Sequence, residues 1–280
     1  MKEHYVPASV AEMPIKAYLM RAYPMLPEWA VRDALKKRDV RINGEKDQKT
    51  VRGGDCVRVY LPDKFFEETL TVLFENEDYL ALEKPCGLPV DVDAEGVGED
   101  TVAKRLASMR PGAAIAHRLD AGTGGVLLAG KNEQALEKLL DAFANGGVKK
   151  QYRAVVVRRI VGERLLEAYL TKDARHACVT VRSEKTRDAK QILTRYRALE
   201  TTQEKGIPLT QLSVELLTGR THQIRAHLAF EGMPLLGDDK YGDREINRTL
   251  GVFVPQLWCE RLEYEGNVMV SMPKGRYFSK

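Results

Sequence analysis

Residues 114–125, AIAHRLDAGTGG, set a carboxylate, Asp120, beside His117 and Arg118 and just ahead of the apolar run Val126 to Ala129. A carboxylate about to enter a core needs a cationic partner, because an unpaired buried charge is costly and protonates instead. Paired and ionised, it can serve as nucleophile or general base. Two sources of positive charge are at hand. Arg118 lies two positions away and shares a face with Asp120 on an extended chain. The second is LLTGRTHQIRAHLAFEG, residues 216–232, where Arg220, Thr221, His222, Gln223 and Arg225 crowd donors around one predicted helix start. Thr221 is placed to cap that helix, Ile224 and Leu228 to face inward, and a helix start rich in donors suits an anion.

Other chemistries fit less well. GVLLAGKN, residues 125–132, matches the opening of a phosphate-binding loop, but Asn132 stands where Ser or Thr is required and Val126 to Leu128 belong in a strand. Gly122, Gly124 and Gly125 then predict a turn with unusual backbone angles leading into that strand. His222 and His227 are five apart, not the four that aligns metal ligands on a helix, so no metal is expected. An Asp and an Arg brought together are more often a structural pair than a catalytic one.

The elements that position these groups fall into two textures. Residues 11–22 and 27–38 carry apolar residues at helical spacing, Pro27 sits near the second start, Asn43-Gly44 marks a turn, and Val57, Val59 and Leu61 alternate as in a strand. Residues 1–62 hold twelve Lys and Arg against eight Asp and Glu, whereas residues 63–280 balance at 32 of each, so the whole excess of +4 lies in the first unit. Local basic excess is what a polyanion-binding module needs. Residues 63–71 read as a linker, although Phe65 and Phe66 argue that it packs somewhere. From about residue 72 strands dominate: two flank the polar turn Glu75 to Asp78, and QYRAVVV and QLSVELL are further strands. Helices are predicted at 100–110 and 132–146, the latter stopped by Asn145, Gly146 and Gly147.

Cys56, Cys86, Cys178 and Cys259 are too scattered for a CxxC pair and too few for a disulfide framework. No apolar stretch is long enough to cross a bilayer and no secretory segment opens the chain, so a soluble, cytoplasmic protein without membrane partners is expected.

DALKKRDVRING and GDCVRV together resemble the small RNA-binding module first described in a small-subunit ribosomal protein. That resemblance implies phosphate contacts from Arg32, Lys36, Lys37, Arg38 and Arg41. Four further motifs, KPCGLPV at 84–90, HRLD at 117–120, KKQYRAVV at 149–156 and TGRTHQIRAHL at 218–228, closely resemble those of the RluA-type pseudouridine synthases, in the family's order.

The family resemblance implies an α+β fold with a mixed, largely antiparallel central sheet flanked by helices, over residues 72–280. It implies isomerisation of uridine in RNA to pseudouridine, with Asp120 as the essential carboxylate and Arg225 keeping it ionised. Tyr152 would stack on the uracil and help remove the proton from carbon 5. Arg118 would extrude the uridine and fill its space, and Leu217 would touch the base. Arg220, His222 and Gln223 are expected to contact RNA. No cofactor is expected, because the reaction consumes nothing. Ribosomal RNA is the preferred partner, transfer RNA the next, and the protein is expected to act as a monomer.

Gly124 stands where the family usually has Ser, and Trp258 and Cys259 where it has His and Ala. Two other functions compete: a non-catalytic RNA-binding or assembly protein on the same fold, and a glycosidic-bond hydrolase. The hydrolase wants a second carboxylate to activate water, and none stands near HRLD in the sequence.

Overall fold

The computed structural model describes residues 1–62, 65–66, 69–173 and 178–278. In the first unit the elements are β1 (Lys2–Tyr5), β2 (Met13–Pro14), α1 (Ile15–Ala22), α2 (Glu28–Lys37), β3 (Val40–Ile42), β4 (Thr50–Val51) and β5 (Cys56–Val59). Strands β1, β5 and β3 form an antiparallel sheet in that order, and Tyr18, Leu19, Val31, Ala34, Ile42 and Val57 fill a core of its own. Asn43 and Gly44 both take positive φ, +53° and +85°, the backbone of the hairpin turn that this dipeptide predicts. Helix α1 begins at Ile15 rather than residue 11, because Met13 and Pro14 pair with Val51 and Thr50 as a short strand. Strand β1 has neither a turn signal nor a long alternation that would predict it from sequence.

The second unit follows as β6 (Thr71–Glu75), β7 (Tyr79–Lys84), α3 (Val102–Met109), β8 (Ala114–Ile115), β9 (Gly124–Gly130), α4 (Glu133–Ala144) and β10 (Lys149–Val156). It continues as β11 (Glu163–Asp173), β12 (Cys178–Arg182), β13 (Lys190–Glu204), β14 (Ile207–Leu216), α5 (Gln223–Phe230), α6 (Arg244–Leu250), β15 (Leu257–Tyr264) and β16 (Asn267–Val270). Among the described residues these strands make one 11-stranded sheet with the path β12-β11-β13-β14-β10-β15-β9-β7-β6, to which β16 and β8 attach. The fold is α+β and its pairs are antiparallel except where β15 runs parallel to β9.

Strand periodicity decides what each face does. Tyr152, Ala154 and Val156 on β10 lie against Leu212, Val214 and Ile224 in the main core, while the alternate residues Gln151 and Arg153 reach Ser213 at 2.8 Å and Glu260 at 2.6 Å on the other face. The parallel pair matters most for the site: Trp258 registers with Gly124 and Cys259 with Gly125, so the start of β15 lies beside the turn that carries Asp120.

Of the three glycines expected to need unusual angles, only Gly125 has one, φ +113°. At Gly124 the need is space, since a Cβ there would stand 2.2 Å from Cζ3 of Trp258. That indole is pinned by its Nε1, which donates to the Ser271 carbonyl at 2.9 Å. The ring at 258 therefore limits what position 124 can carry. Gly124→Ser should cost roughly 3 kcal/mol, as overpacking of a well-filled site does. Combined with Trp258→Ala, the serine should cost much less than the separate losses summed, which urea unfolding of the four proteins would measure.

The two units are also joined away from residues 63–71. Ala22 O accepts the amides of Glu99 and Asp100 at 2.8 and 3.0 Å, Arg21 pairs with Asp93 and, at 3.3 Å, with Glu95, and Val97 enters the small core. Phe65 packs edge-on to Trp29 and Phe66 to Tyr23, with ring centroids 5.8 and 5.4 Å apart. Asp63, Lys64, Glu67 and Glu68 lie outside the described residues.

Candidate active site

The turn that presents Asp120 is held from behind by its carbonyls. Lys84, fully buried at the end of β7, donates its ammonium to the carbonyls of Pro85, Ala121 and Thr123 at 2.9, 2.9 and 2.7 Å. Gly87 N donates to Ala121 O at 2.8 Å, and Cys86 Sγ lies 2.9 Å from Gly122 O. Burial brings the Lys84 amine down to about 8, a shift that Cys86 and Asp120 partly oppose. His117 is not a cation beside Asp120: burial, with Lys150 adding to it, pushes its imidazole down to about 3, and its Nε2 accepts the Leu128 amide at 3.1 Å.

Asp120 finds its partner 105 positions away. Nη1 of Arg225, projected from α5, donates to its Oδ2 at 3.0 Å, with the Asp120 side chain 26% exposed and that of Arg225 only 7%. Arg118 is exposed, makes no ion pair among the described residues, and lines an open cleft with Val90, Asp91 and Ala113. The local Arg118–Asp120 pairing that spacing allows is thus not the one formed.

Arg225 is itself held by a residue the motifs did not single out. Asp238 is fully buried and takes Nε at 2.6 Å and Nη2 at 2.9 Å in a bidentate pair. Its Oδ1 also accepts the amides of Lys240 and Tyr241 at 2.9 and 3.0 Å. Burial works against both charges, but the pairing outweighs it: the Arg225 guanidinium is held above its ordinary value and the Asp238 carboxyl below its own. The sequence signal was faint, because GDDKYGD offers three aspartates without saying which is interior. Asp239 is largely exposed, 3.5 Å from Arg225 Nη2, and Asp243 caps α6 through Glu245 N and Ile246 N.

Although no second carboxylate stands near HRLD in the sequence, the fold brings Asp238 near it in space. Asp238 reaches the site through Arg225, yet it is sealed from solvent and fully engaged, so it cannot activate a water as a hydrolase needs.

Tyr152 is buried on β10, and burial, reinforced by Cys259 and Asp120, holds its phenol well above the ordinary value. A resting phenolate is disfavoured there. Leu217 is 43% exposed and Arg220 is exposed, so both side chains can be reached from solvent. Gln223 is placed otherwise than expected. Its Oε1 accepts Thr218 Oγ1 and Arg220 N, its Nε2 donates to Leu193 O and Thr194 Oγ1, and no polar atom is left for RNA. Helix α5 starts at Gln223 with His222, not Thr221, at the N-cap.

In the first unit Arg32, Lys36, Lys37 and Arg38 are exposed on or just after α2. Arg32 lies 4.0 Å from Glu28, Lys37 2.7 Å from Asp33 and Arg38 2.9 Å from Asp47, all exposed pairs of small energetic weight. Arg41 stacks its guanidinium over Tyr60 at 5.2 Å. Among the described residues no group of three or more His, Cys, Asp or Glu is placed to hold a metal, and no helix is long and apolar enough to cross a membrane.

The site thus centres on a buried guanidinium shared between an interior carboxylate, Asp238, and a partly exposed one, Asp120. The profile of the RNA pseudouridylate synthase family matches residues 78–230. A protein of Aquifex aeolicus described as an RNA pseudouridine synthase is 34% identical over 245 residues, 80% of this chain and 75% of its own. Ribosomal large subunit pseudouridine synthase D of Xanthomonas campestris is 30% identical, with 86% of this chain and 75% of its own covered. Among solved structures, human RNA pseudouridylate synthase domain containing 1 superposes with a TM-score of 0.62 at 25% identity, covering 73% of this chain and 82% of its own. The chain belongs to this family, in its RluA-type branch, and is an RNA pseudouridine synthase.

Proposed function

We propose that the chain isomerises specific uridines of ribosomal RNA, with Asp120 as the catalytic carboxylate. The observation that carries this is the Asp120–Arg225 contact of 3.0 Å, formed between two distant motifs with the Asp120 side chain still partly exposed. Ribosomal RNA is favoured over transfer RNA because relatives from Xanthomonas campestris and Vibrio cholerae are named ribosomal large subunit pseudouridine synthases. A cytoplasmic monomer remains part of the proposal, on the sequence reading alone.

The reaction breaks the bond between ribose carbon 1′ and uracil N1, turns the base, joins carbon 1′ to uracil carbon 5, and moves one proton from carbon 5 to nitrogen. Asp120 acts at the sugar, as nucleophile or as base, while Arg225 holds its charge in place. Arg118 occupies the space left by the extruded nucleotide. Tyr152 supports the uracil by stacking, and Leu217 covers its edge. Incubating the protein with ribosomal RNA tritiated at uridine carbon 5 tests the reading: tritium release with base count unchanged is expected, and free uracil or tight binding without release would overturn it.

The small unit is proposed to anchor the RNA through α2 and the turn after it. Lys36 makes no ion pair among the described residues, so Lys36→Glu should act more strongly than Lys37→Glu, whose lysine already faces Asp33. The double reversal should make the slope of log affinity against log salt shallower by about 1 to 2 and weaken all RNAs alike. An unchanged slope, measured by filter binding, would remove α2 from the interface.

A further inference from the structure

Asp120 has two oxygens, and its surroundings treat them differently. Oδ2 accepts Arg225 Nη1 at 3.0 Å, and Asp238 fixes that guanidinium from behind. Oδ1 faces Nε2 of His222 at 3.7 Å, beyond hydrogen-bond length. His222 has a left-handed backbone, φ +52°, at the N-cap of α5, and its side chain makes no capping bond. A residue with a side chain keeps that angle only where its surroundings impose it, and such residues cluster at functional sites.

What holds the ring is Tyr241. Nδ1 of His222 lies 2.9 Å from the Tyr241 hydroxyl, whose oxygen accepts the Val179 amide at 2.9 Å. That hydroxyl can donate to Nδ1 or accept from it, as the tautomer of His222 requires. Burial holds the imidazole below its ordinary value even with Asp120 and Asp238 nearby and Arg225 and Lys240 on the opposing side. A neutral imidazole carries one ring proton, and the Asp120 oxygen facing Nε2 favours placing it there, with Nδ1 left to accept from Tyr241. The other tautomer would set a lone pair against a carboxylate oxygen.

We infer that His222 is a positioning residue for Asp120, presenting a neutral Nε2–H to Oδ1 while Nδ1 accepts from Tyr241. A carboxylate held at Oδ2 alone can rotate; a second donor fixes its plane and leaves the remaining lone pair of Oδ1 for the ribose. Contacts that are long in the free enzyme commonly tighten once substrate is bound. The inference rests on the proposed role of Asp120, and it gives His222 work other than the RNA contact expected from the sequence.

The test compares His222→Phe, which keeps a ring without a donor, with His222→Gln, which keeps an N–H near the Nε2 position, in full-length protein. With tritiated RNA, His222→Phe should lower kcat on the order of tenfold to a hundredfold and leave KM within about twofold, and His222→Gln should recover most of the loss. Nitrogen-15 spectra of the histidines should place the His222 proton on Nε2 and show that preference weakened in Tyr241→Phe. A raised KM at unchanged kcat would make His222 an RNA contact and overturn the inference. Equal losses in both His222 variants, tracking a lowered melting temperature, would reduce it to a structural residue. Full turnover by Asp120→Asn would instead bring down the underlying reading, so the two failures are separable.

Discussion

Asp120→Asn is expected to lower kcat/KM by at least about a thousandfold while leaving the fold and RNA affinity almost unchanged. The substitution keeps shape and removes the charge and the nucleophilic oxygen together. It does little to the fold because Arg225 does not depend on Asp120 for its burial: two of its N–H groups stay bound to Asp238 at 2.6 and 2.9 Å. Asp120 is also partly exposed, so water can solvate what the amide does not. Tritium release under single-turnover conditions, with binding measured on the same RNA, separates the two quantities. Turnover within tenfold of the unchanged enzyme would refute Asp120 as the catalytic group.

Asp238→Ala should do the opposite and break the fold first. Among the described residues it leaves the buried Arg225 guanidinium with the half-open Asp120 and the exposed Asp239 as its carboxylate partners, and it strips the Lys240 and Tyr241 amides of their acceptor. Removing one member of a buried pair costs roughly 3–5 kcal/mol, because the survivor keeps its desolvation penalty. Urea unfolding should show that loss, and Asp238→Asn, which keeps the shape and one acceptor oxygen, should lose less.

The pair also sets a pH dependence. Pairing with Arg225 holds the folded-state value of Asp238 below the ordinary carboxylate value, so its stabilisation is complete above about pH 4, the unfolded value, and is lost as pH falls further. Asp238→Asn should be less sensitive to acid over that range.

What the sequence made legible was local or motif-borne. The polar turn at Glu75 to Asp78 between β6 and β7, the helix ending at Ala144 before Asn145, and the run Val126 to Ala129 as an interior strand all follow from periodicity and breakers in short windows. Asp120 and Arg225 were found because each sits in a recognisable motif. Asp238, Lys84 and Tyr241 were not singled out, because their roles depend on which side chain is sealed from water and what lies across the fold. Nothing within a few residues of Lys84 says that its ammonium ends on Ala121 O and Thr123 O. Gln223 was misplaced for the same reason: an amide in a polar motif looks like a surface donor until Leu193 and Thr194 are brought to it. Sequence alone makes the glycines look like conformational devices, but at Gly124 the cause is Trp258, a ring 134 positions later in the chain.

The clasp between the first unit and residues 93–100, with Ala22 O accepting two amides and Val97 buried in the small core, has a geometric corollary. Two parts tethered only by a flexible leash would let an anchored RNA offer many uridines to Asp120. With α2 gripping RNA and Asp120 reacting as proposed, fastening at a second point would make the two parts a caliper, admitting only a nucleotide at one offset from the gripped segment.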